Sequence, residues 1–102
     1  MTAMQINKTQ FEQWMAEGKT VVVDYWAPWC GYCRRIGPAY DKIAEEYGDR
    51  LAVAKVNIDE EMDLASRFGV ASIPTMVVFK NGQLANRTVG LQPKAKVAEL
   101  FQ

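Results

Sequence analysis

The sequence predicts an α/β fold in which a central β-sheet, mixed but mainly parallel, is flanked by helices. Two nearly continuous apolar runs, at residues 20–26 and 51–58, have the composition of central strands that are covered on both faces. Each run is followed by apolar residues at helical spacing, which favours crossover connections and parallel pairing. A third apolar run, at residues 75–79, leads through Asn81-Gly82 into residues 84–89. Asn-Gly is a common hairpin turn, so this last pair of strands is expected to be antiparallel.

The chain opens with a short strand and a helix. Residues 4–6 predict an edge strand, and either Asn7 or Thr9 can cap the helix that follows. Gly18 is suited to end that helix. Its apolar face consists of Phe11, Trp14 and Met15.

A second, longer helix is predicted after the first central strand. It extends to about Tyr47, and Gly48 is a natural terminator. Pro38 lies inside this helix and predicts a kink there, because proline cannot donate a backbone hydrogen bond.

Two further helices are predicted in the second half of the chain. The acidic residues 59–61 suit the start of a short helix that ends at Gly69. Pro93 fits the first turn of a last helix. The core face of that last helix is Val97, Leu100 and Phe101. The predicted order of elements is therefore β-α-β-α-β-α-β-β-α.

The composition predicts one domain with no bulk charge to select a partner. The 102 residues suffice for a single compact domain, residues 1–102, and are too few for two. Twelve basic and twelve acidic residues cancel, which argues against binding to nucleic acid or an anionic membrane. The N-terminus has no signal-peptide pattern, and no apolar run approaches the length of a membrane span. Two cysteines in a chain without such signals suit a reducing compartment, so we expect a cytoplasmic protein. We also expect a monomer.

The only two cysteines, Cys30 and Cys33, lie where a predicted strand passes into a predicted helix. Free N–H groups and the positive end of the helix dipole favour an anion at such a position. The thiolate is such an anion and is the reactive form of cysteine. Two cysteines on one helical turn are also close enough to form a disulfide. The pair therefore predicts a reversible dithiol/disulfide couple.

Other roles for the cysteine pair are less compatible with the sequence. A structural zinc site needs four Cys or His ligands, and this chain has two Cys and no His. Haem attachment needs His directly after the second cysteine, where Arg34 stands. A purely structural disulfide would close a very short loop and would constrain the unfolded chain little. Two unreactive thiols buried in the core remain an alternative.

Several short motifs, each weak alone, lie at consistent spacings along nearly the whole chain. They are Val23-Asp24-Tyr25-Trp26-Ala27-Pro28-Trp29-Cys30-Gly31-Tyr32-Cys33, Lys55-Val56-Asn57-Ile58-Asp59, Ile73-Pro74-Thr75, Asn81-Gly82 and Val89-Gly90. Together they resemble the thioredoxin family. The resemblance implies the thioredoxin fold and a protein-disulfide reductase that binds no cofactor or metal. It also implies that NADPH supplies electrons through thioredoxin reductase, and that the substrates are proteins with disulfides.

The resemblance implies a role for each residue of the redox centre. Cys30 attacks the substrate disulfide, and Cys33 then resolves the mixed disulfide. Asp24 resembles the buried carboxylate that accepts the Cys33 proton, and burial would raise its pKa. Lys55 resembles the lysine near that carboxylate. Without the resemblance, Asp24 would more often be a strand end that faces water, and Lys55 a side chain that extends to the surface.

The resemblance also implies an apolar docking surface for substrates. Ile73-Pro74 resembles the loop that holds a cis proline beside the disulfide, where Ile73 offers backbone hydrogen bonds to an extended substrate segment. For Trp29 and Ile58, membership of the core is the alternative. The expected docking residues are Trp29, Ile58, Ile73, Pro74, Val89, Gly90 and Leu91.

Tyr32 departs from the usual pattern of the family, in which proline occupies this position. We expect Gly31 and Tyr32 to tune the redox potential, and the Tyr32 N–H to point at the Cys30 sulfur, which would make the couple more oxidising. Tyr32 also supplies half of the Cys-Pro-Tyr-Cys pattern of glutaredoxins. A glutathione-coupled oxidoreductase is therefore one alternative function. A thioredoxin-fold binding module that does not use its thiols is another.

Overall fold

The computed structural model describes residues 3–47, 52–90 and 99, and its strands form one five-stranded sheet. The strands are β1 (Met4–Gln5), β2 (Val21–Trp26), β3 (Ala52–Asn57), β4 (Thr75–Lys80) and β5 (Gln83–Val89). The helices in the described part of the chain are α1 (Lys8–Ala16), α2 (Gly31–Tyr47) and α3 (Met62–Arg67). The predicted terminator Gly48 and the predicted last helix, apart from Glu99, lie outside the described residues.

The sheet is mixed, as the sequence predicts, and β2 lies at its centre in the order β1-β3-β2-β4-β5. β3 pairs in parallel with both β1 and β2. β4 is antiparallel to β2 and to β5, so the pairs described are evenly divided between the two kinds. The antiparallel β2–β4 pair was not predicted, because no short turn links these two strands in the sequence.

The two faces of β2 carry different kinds of side chain, because successive residues of a strand point to opposite faces. On one face Val21, Val23 and Tyr25 join an apolar cluster with Phe11 of α1 and with residues of α3. On the other face Val22 packs against a second cluster, which includes Ile36, Tyr40, Ile43 and Ala44 of α2. Asp24 shares this second face, so the helix that begins at the cysteines covers the only carboxylate of β2.

Local sequence signals set the helix and turn boundaries. Asn7 caps α1 through a capping box in which Asn7 and Gln10 exchange hydrogen bonds between side chain and backbone. Pro38 lies inside α2, as predicted. Asn81 and Gly82 adopt φ values of 52° and 78°, the left-handed conformation of a tight hairpin turn.

Candidate active site

The disulfide occupies the junction between β2 and α2. Cys30 immediately precedes α2 and Cys33 lies in its first turn; their sulfurs are bonded, and their Cα atoms are 5.3 Å apart. This bond confirms the predicted disulfide and excludes the alternative of two separate core thiols. The backbone N–H of Cys33 donates a hydrogen bond of 3.1 Å to the Cys30 sulfur. In this disulfide form the donor is Cys33, whereas the expectation that the Tyr32 N–H points at the Cys30 thiolate concerns the reduced form and stays a prediction.

The surroundings of the two cysteines differ more than their exposure does. The exposed fractions are 6% for Cys30 and 4% for Cys33, so accessibility does not separate them. The Cys30 sulfur lies 3.9 Å from the carbonyl oxygen of Ile73, in the loop before β4. Cys33 instead lines a cavity that also contains Asp24. One cysteine therefore faces the outer loop and the other faces a buried carboxylate.

That cavity lies between α2 and the sheet and has a volume of about 260 Å³. Cys33 lies in this cavity together with ionisable side chains from β2, α2 and β3. Its lining consists of Asp24, Trp26, Cys33, Arg34, Gly37, Pro38, Asp41 and Lys55.

Asp24 is buried, as the resemblance implies, with 1% of its surface exposed. The alternative of a strand end that faces water is therefore wrong. Its Oδ1 atom has no hydrogen-bond partner among the described residues. Burial raises the pKa of Asp24 from 3.8 to about 7, against the opposing effect of the Lys55 charge, and the Asp41 carboxylate raises it slightly further. Near neutral pH this carboxyl group can therefore both accept and release a proton.

Lys55 lies next to Asp24 across the β2–β3 pair, in direct register. Its side chain is half-buried and lines the same cavity, and its Nζ atom is 3.9 Å from the place where a β-carbon on Gly37 would lie. The ammonium group thus lies beside α2 at this cavity, while the half-buried side chain keeps part of its surface exposed. At this position it favours the ionised form of Asp24.

The loop before β4 brings together most of the predicted docking residues. The Ile73–Pro74 peptide bond is cis, as the resemblance implies. The Gly90 N–H donates a hydrogen bond of 2.8 Å to the Pro74 carbonyl oxygen, which fixes the end of β5 beside this loop. Val89 pairs with Thr75 and is exposed, while Ile73 is half-buried and Pro74 is buried. Leu91, the remaining residue of this group, lies outside the described residues.

Trp29 and Ile58 differ in their surroundings. Trp29 is 67% exposed, so the alternative that it belongs to the core is wrong. Its indole N–H donates a hydrogen bond of 3.0 Å to the Asp59 carboxylate, which holds the ring at the surface beside Cys30. Ile58 is half-buried and packs against the core cluster of α1 and α3. Ile58 therefore contributes to the core and keeps part of its surface exposed.

Three polar residues near the site were given no role in it by the sequence analysis. Tyr40 lies inside the predicted second helix without an assigned role, yet its hydroxyl lies 2.7 Å from both the Val22 and the Ala54 carbonyl oxygens. Asp41 follows it on α2 and lines the Asp24 cavity. Asp59 holds Trp29. Tyr40 could have been noticed as an aromatic residue with a hydroxyl at the apolar spacing of the second helix. Nothing in the local sequence indicates that Asp41 lines the cavity or that Asp59 binds the Trp29 side chain.

The described part of the chain shows neither a metal site nor a membrane span. No three or more His, Cys, Asp or Glu residues in these ranges are grouped to hold a metal ion. No helix among the residues described is long and apolar enough to cross a membrane.

Known proteins that are similar to this chain share one family. A family model described as thioredoxin matches residues 2–102. Thioredoxin 1 of Synechococcus elongatus is 44% identical over 97 residues, which cover 94% of this chain and 91% of that protein. The thioredoxin of Bacillus subtilis is 38% identical over 100 residues, or 98% of this chain and 95% of that one. A solved structure of a mutant thioredoxin from Halobacterium salinarum superposes with a TM-score of 0.87 at 32% identity, covering 97% of this chain and 87% of the other.

Proposed function

Since the chain belongs to the thioredoxin family and is a protein-disulfide oxidoreductase, we propose that Cys30 attacks substrate disulfides and that Cys33 resolves the resulting mixed disulfide. The observation that carries this assignment is the difference in surroundings. The Cys30 sulfur faces the Ile73 carbonyl at the outer loop, whereas Cys33 shares a cavity with Asp24. A nucleophile must meet an incoming protein, and a resolving thiol needs a base.

The reaction begins with the dithiol form. The Cys30 thiolate attacks one sulfur of the substrate disulfide, and the other substrate sulfur leaves as a thiolate. The thiolate of Cys30 is favoured by the N-terminus of α2 and by the N–H of Cys33, which donates to this sulfur. The product of this step is a mixed disulfide between Cys30 and the substrate.

The second step needs a base for Cys33. Asp24, whose pKa of about 7 leaves it partly ionised near neutral pH, accepts the Cys33 proton through the shared cavity. The Cys33 thiolate then attacks the Cys30 sulfur, and the remaining substrate thiolate leaves. Two electrons have then passed from the dithiol to the substrate, and Cys30 and Cys33 are joined. Lys55 keeps the pKa of Asp24 from rising further.

The surface around Cys30 is the proposed docking site. An extended substrate segment lies beside Ile73 and Pro74, whose backbone is held by the Gly90 N–H. Exposed Trp29 and Val89 supply apolar contacts, and Ile58 and Leu91 complete the proposed surface. We propose that Gly31 and Tyr32 tune the redox potential. Apart from its own helix and chain neighbours, a β-carbon on Gly31 would meet no atom of the described residues within 4 Å, which supports an open surface on this side of the disulfide.

Membership of the family supports the proposed partners and location. We propose that thioredoxin reductase returns electrons from NADPH to the Cys30–Cys33 disulfide. We also propose that the chain is a single domain and acts as a monomer in the cytoplasm, without nucleic acid or membrane partners. Protein disulfides are the proposed substrates.

Trapping with serine variants tests the roles of the two cysteines. Cys33→Ser should attack substrates but fail to release them, so mixed disulfides should accumulate on non-reducing gels. Cys30→Ser should form none, because the attacking sulfur is absent. Equal trapping by both variants would contradict the assignment.

A reductant comparison tests the electron source. Insulin reduction should proceed with NADPH and thioredoxin reductase and should be much slower with reduced glutathione and glutathione reductase. A preference for glutathione would favour the glutathione-coupled alternative, to which Tyr32 contributes half of the glutaredoxin pattern. Absence of reduction with either system would favour a binding module.

A further inference from the structure

We propose that Arg34 and Arg35, together with Tyr32, form a carboxylate-binding subsite that selects protein substrates with Asp or Glu beside the reacting disulfide. The subsite deepens the proposed function, on which it rests, by naming a substrate class. The occupant is an acidic segment of a protein substrate.

The subsite lies directly beside the disulfide. Gly31, Tyr32, Arg34 and Arg35 line an open groove of about 500 Å³ on the outer side of the first turns of α2. Tyr32 is 60% exposed and both arginines are exposed. Gly31 and Tyr32 lie between the two cysteines in the sequence and the arginines follow Cys33, so the proposal places the residues next to the reacting substrate cysteine at this groove.

Both arginines lack a partner within the part of the chain that is described, unlike most of its other cations. Lys8 and Lys19 form ion pairs with Asp63 and Glu17. Arg67 pairs with Glu12, and Arg87 donates to backbone carbonyl oxygens. Arg34 also borders the cavity that contains Asp24 and Asp41, but no ion pair among the described residues joins it to either carboxylate. The guanidinium groups of Arg34 and Arg35 are therefore available to an incoming anion.

The position of the arginines is unfavourable for the helix itself. Cations are disfavoured near a helix N-terminus, where the dipole is positive. The first turn of α2 contains no acidic residue to offset Arg34, whereas α3 has Asp63 in its first turn. A local arrangement that opposes the fold without a compensating contact is expected at functional positions. The cations gain a favourable partner when an acidic substrate docks.

The chemistry of the groove favours carboxylates over other anions or apolar groups. A guanidinium group presents parallel N–H donors that match the two oxygens of a carboxylate. Two such groups on consecutive residues attract an acidic segment and also speed its encounter with the disulfide. The exposed Tyr32 ring supplies a flat surface for the intervening part of the chain.

The test uses three disulfide-linked peptides that differ only in one residue next to the reacting cysteine, which is Glu, Gln or Lys. We expect the wild-type protein to reduce the Glu peptide with a kcat/KM about tenfold above that for the Gln peptide at low salt, and the Lys peptide more slowly than either. The Arg34→Gln/Arg35→Gln variant should bring the Glu-to-Gln ratio close to one. Lys42→Gln, which removes an exposed cation further along α2, is the matched control and should keep the wild-type ratio.

A second measurement separates docking from an effect on the thiolate. The pH dependence of Cys30 alkylation by iodoacetamide in the reduced protein reports the pKa of that thiol. If the arginine variant slows all three peptides equally and raises this pKa, the arginines act on the thiolate and the subsite is overturned. The proposed subsite would also be overturned if the wild-type protein reduced the Glu and Gln peptides with nearly equal kcat/KM. A preference for glutathione disulfide over the Glu peptide, lost in the arginine variant, would overturn the assignment to protein segments. If the wild-type protein reduced none of the peptides, the proposed function would fail, and the subsite with it.

Discussion

Replacing Asp24 with asparagine should stabilise the fold near and above neutral pH. Burial raises the pKa of this carboxyl group to about 7 in the folded protein, while it returns to its ordinary value of 3.8 in the unfolded chain. Well below pH 3.8 the group is protonated in both the folded and the unfolded state, so it does not change the free energy of unfolding. Between about pH 4 and pH 7 the unfolded chain releases the proton first, so the free energy of unfolding falls as pH rises. Asparagine does not titrate, so the free energy of unfolding of the variant does not fall in this way.

The size of the effect follows from the difference in pKa. A shift from 3.8 to about 7 corresponds to roughly 4 kcal/mol at about 1.4 kcal/mol per pKa unit. The amide is nearly the same size as the protonated acid and meets the same buried surroundings, so the two proteins should be similar at pH 4. At pH 8 the Asp24→Asn protein should be more stable by about 4 kcal/mol.

Urea denaturation of the oxidised proteins between pH 4 and pH 9 measures this difference. The wild-type midpoint should fall through the window from pH 4 to pH 7, and the variant midpoint should change much less. Glu45→Gln, which removes an exposed carboxylate on the same helix, is the control and should follow the wild-type curve. Parallel wild-type and Asp24→Asn curves would refute the argument, because they would mean that Asp24 is solvated in the folded state.

Three further predictions concern residues around this centre and the hairpin. Lys55→Gln removes the charge that lowers the pKa of Asp24, so the fall in urea midpoint should extend to higher pH than in the wild-type protein. Tyr40→Phe removes a buried hydroxyl that donates to one of two strand carbonyl oxygens within its reach and should lower the free energy of unfolding by about 1 kcal/mol, whereas the exposed Tyr32→Phe should have no measurable effect. Gly82→Ala should cost about 1–2 kcal/mol in the same assay, because φ is 78° and the new methyl would lie 3.2 Å from a backbone oxygen of α1.

The parts of the fold that depend on local signals could be predicted from the sequence. The Asn7 cap, the left-handed turn at Asn81 and Gly82, and the apolar run of β2 each specify their own backbone conformation. The antiparallel pairing of β2 with β4 could not be predicted in this way. It joins strands that are distant in the sequence, and it follows from which apolar faces must be covered.

The features of the active site can likewise be divided into those that the local sequence predicts and those that depend on distant parts of the chain. Cys30 and Cys33 were predicted from their spacing, because a disulfide within one helical turn is a local arrangement. The burial of Asp24 was implied only by the resemblance, since an isolated Asp on an apolar strand gives no sign of what covers it. The Cys33 N–H as donor to the Cys30 sulfur was not predicted, because the spacing of the cysteines does not show which of the free N–H groups of the first turn lies nearest this sulfur.

The burial of Asp24 makes sense only if stability and chemistry are considered together. A single domain of this size is stable by about 5–15 kcal/mol, so a carboxylate that removes about 4 kcal/mol at neutral pH uses a large fraction of that margin. Valine at the same position of β2 would extend the apolar cluster of α2 and would remove this loss. The carboxyl group instead shares a cavity with Cys33 and has a pKa near the pH at which it must exchange protons. The destabilisation and the basicity have the same cause, which is burial, so a substitution that removes one must also remove the other.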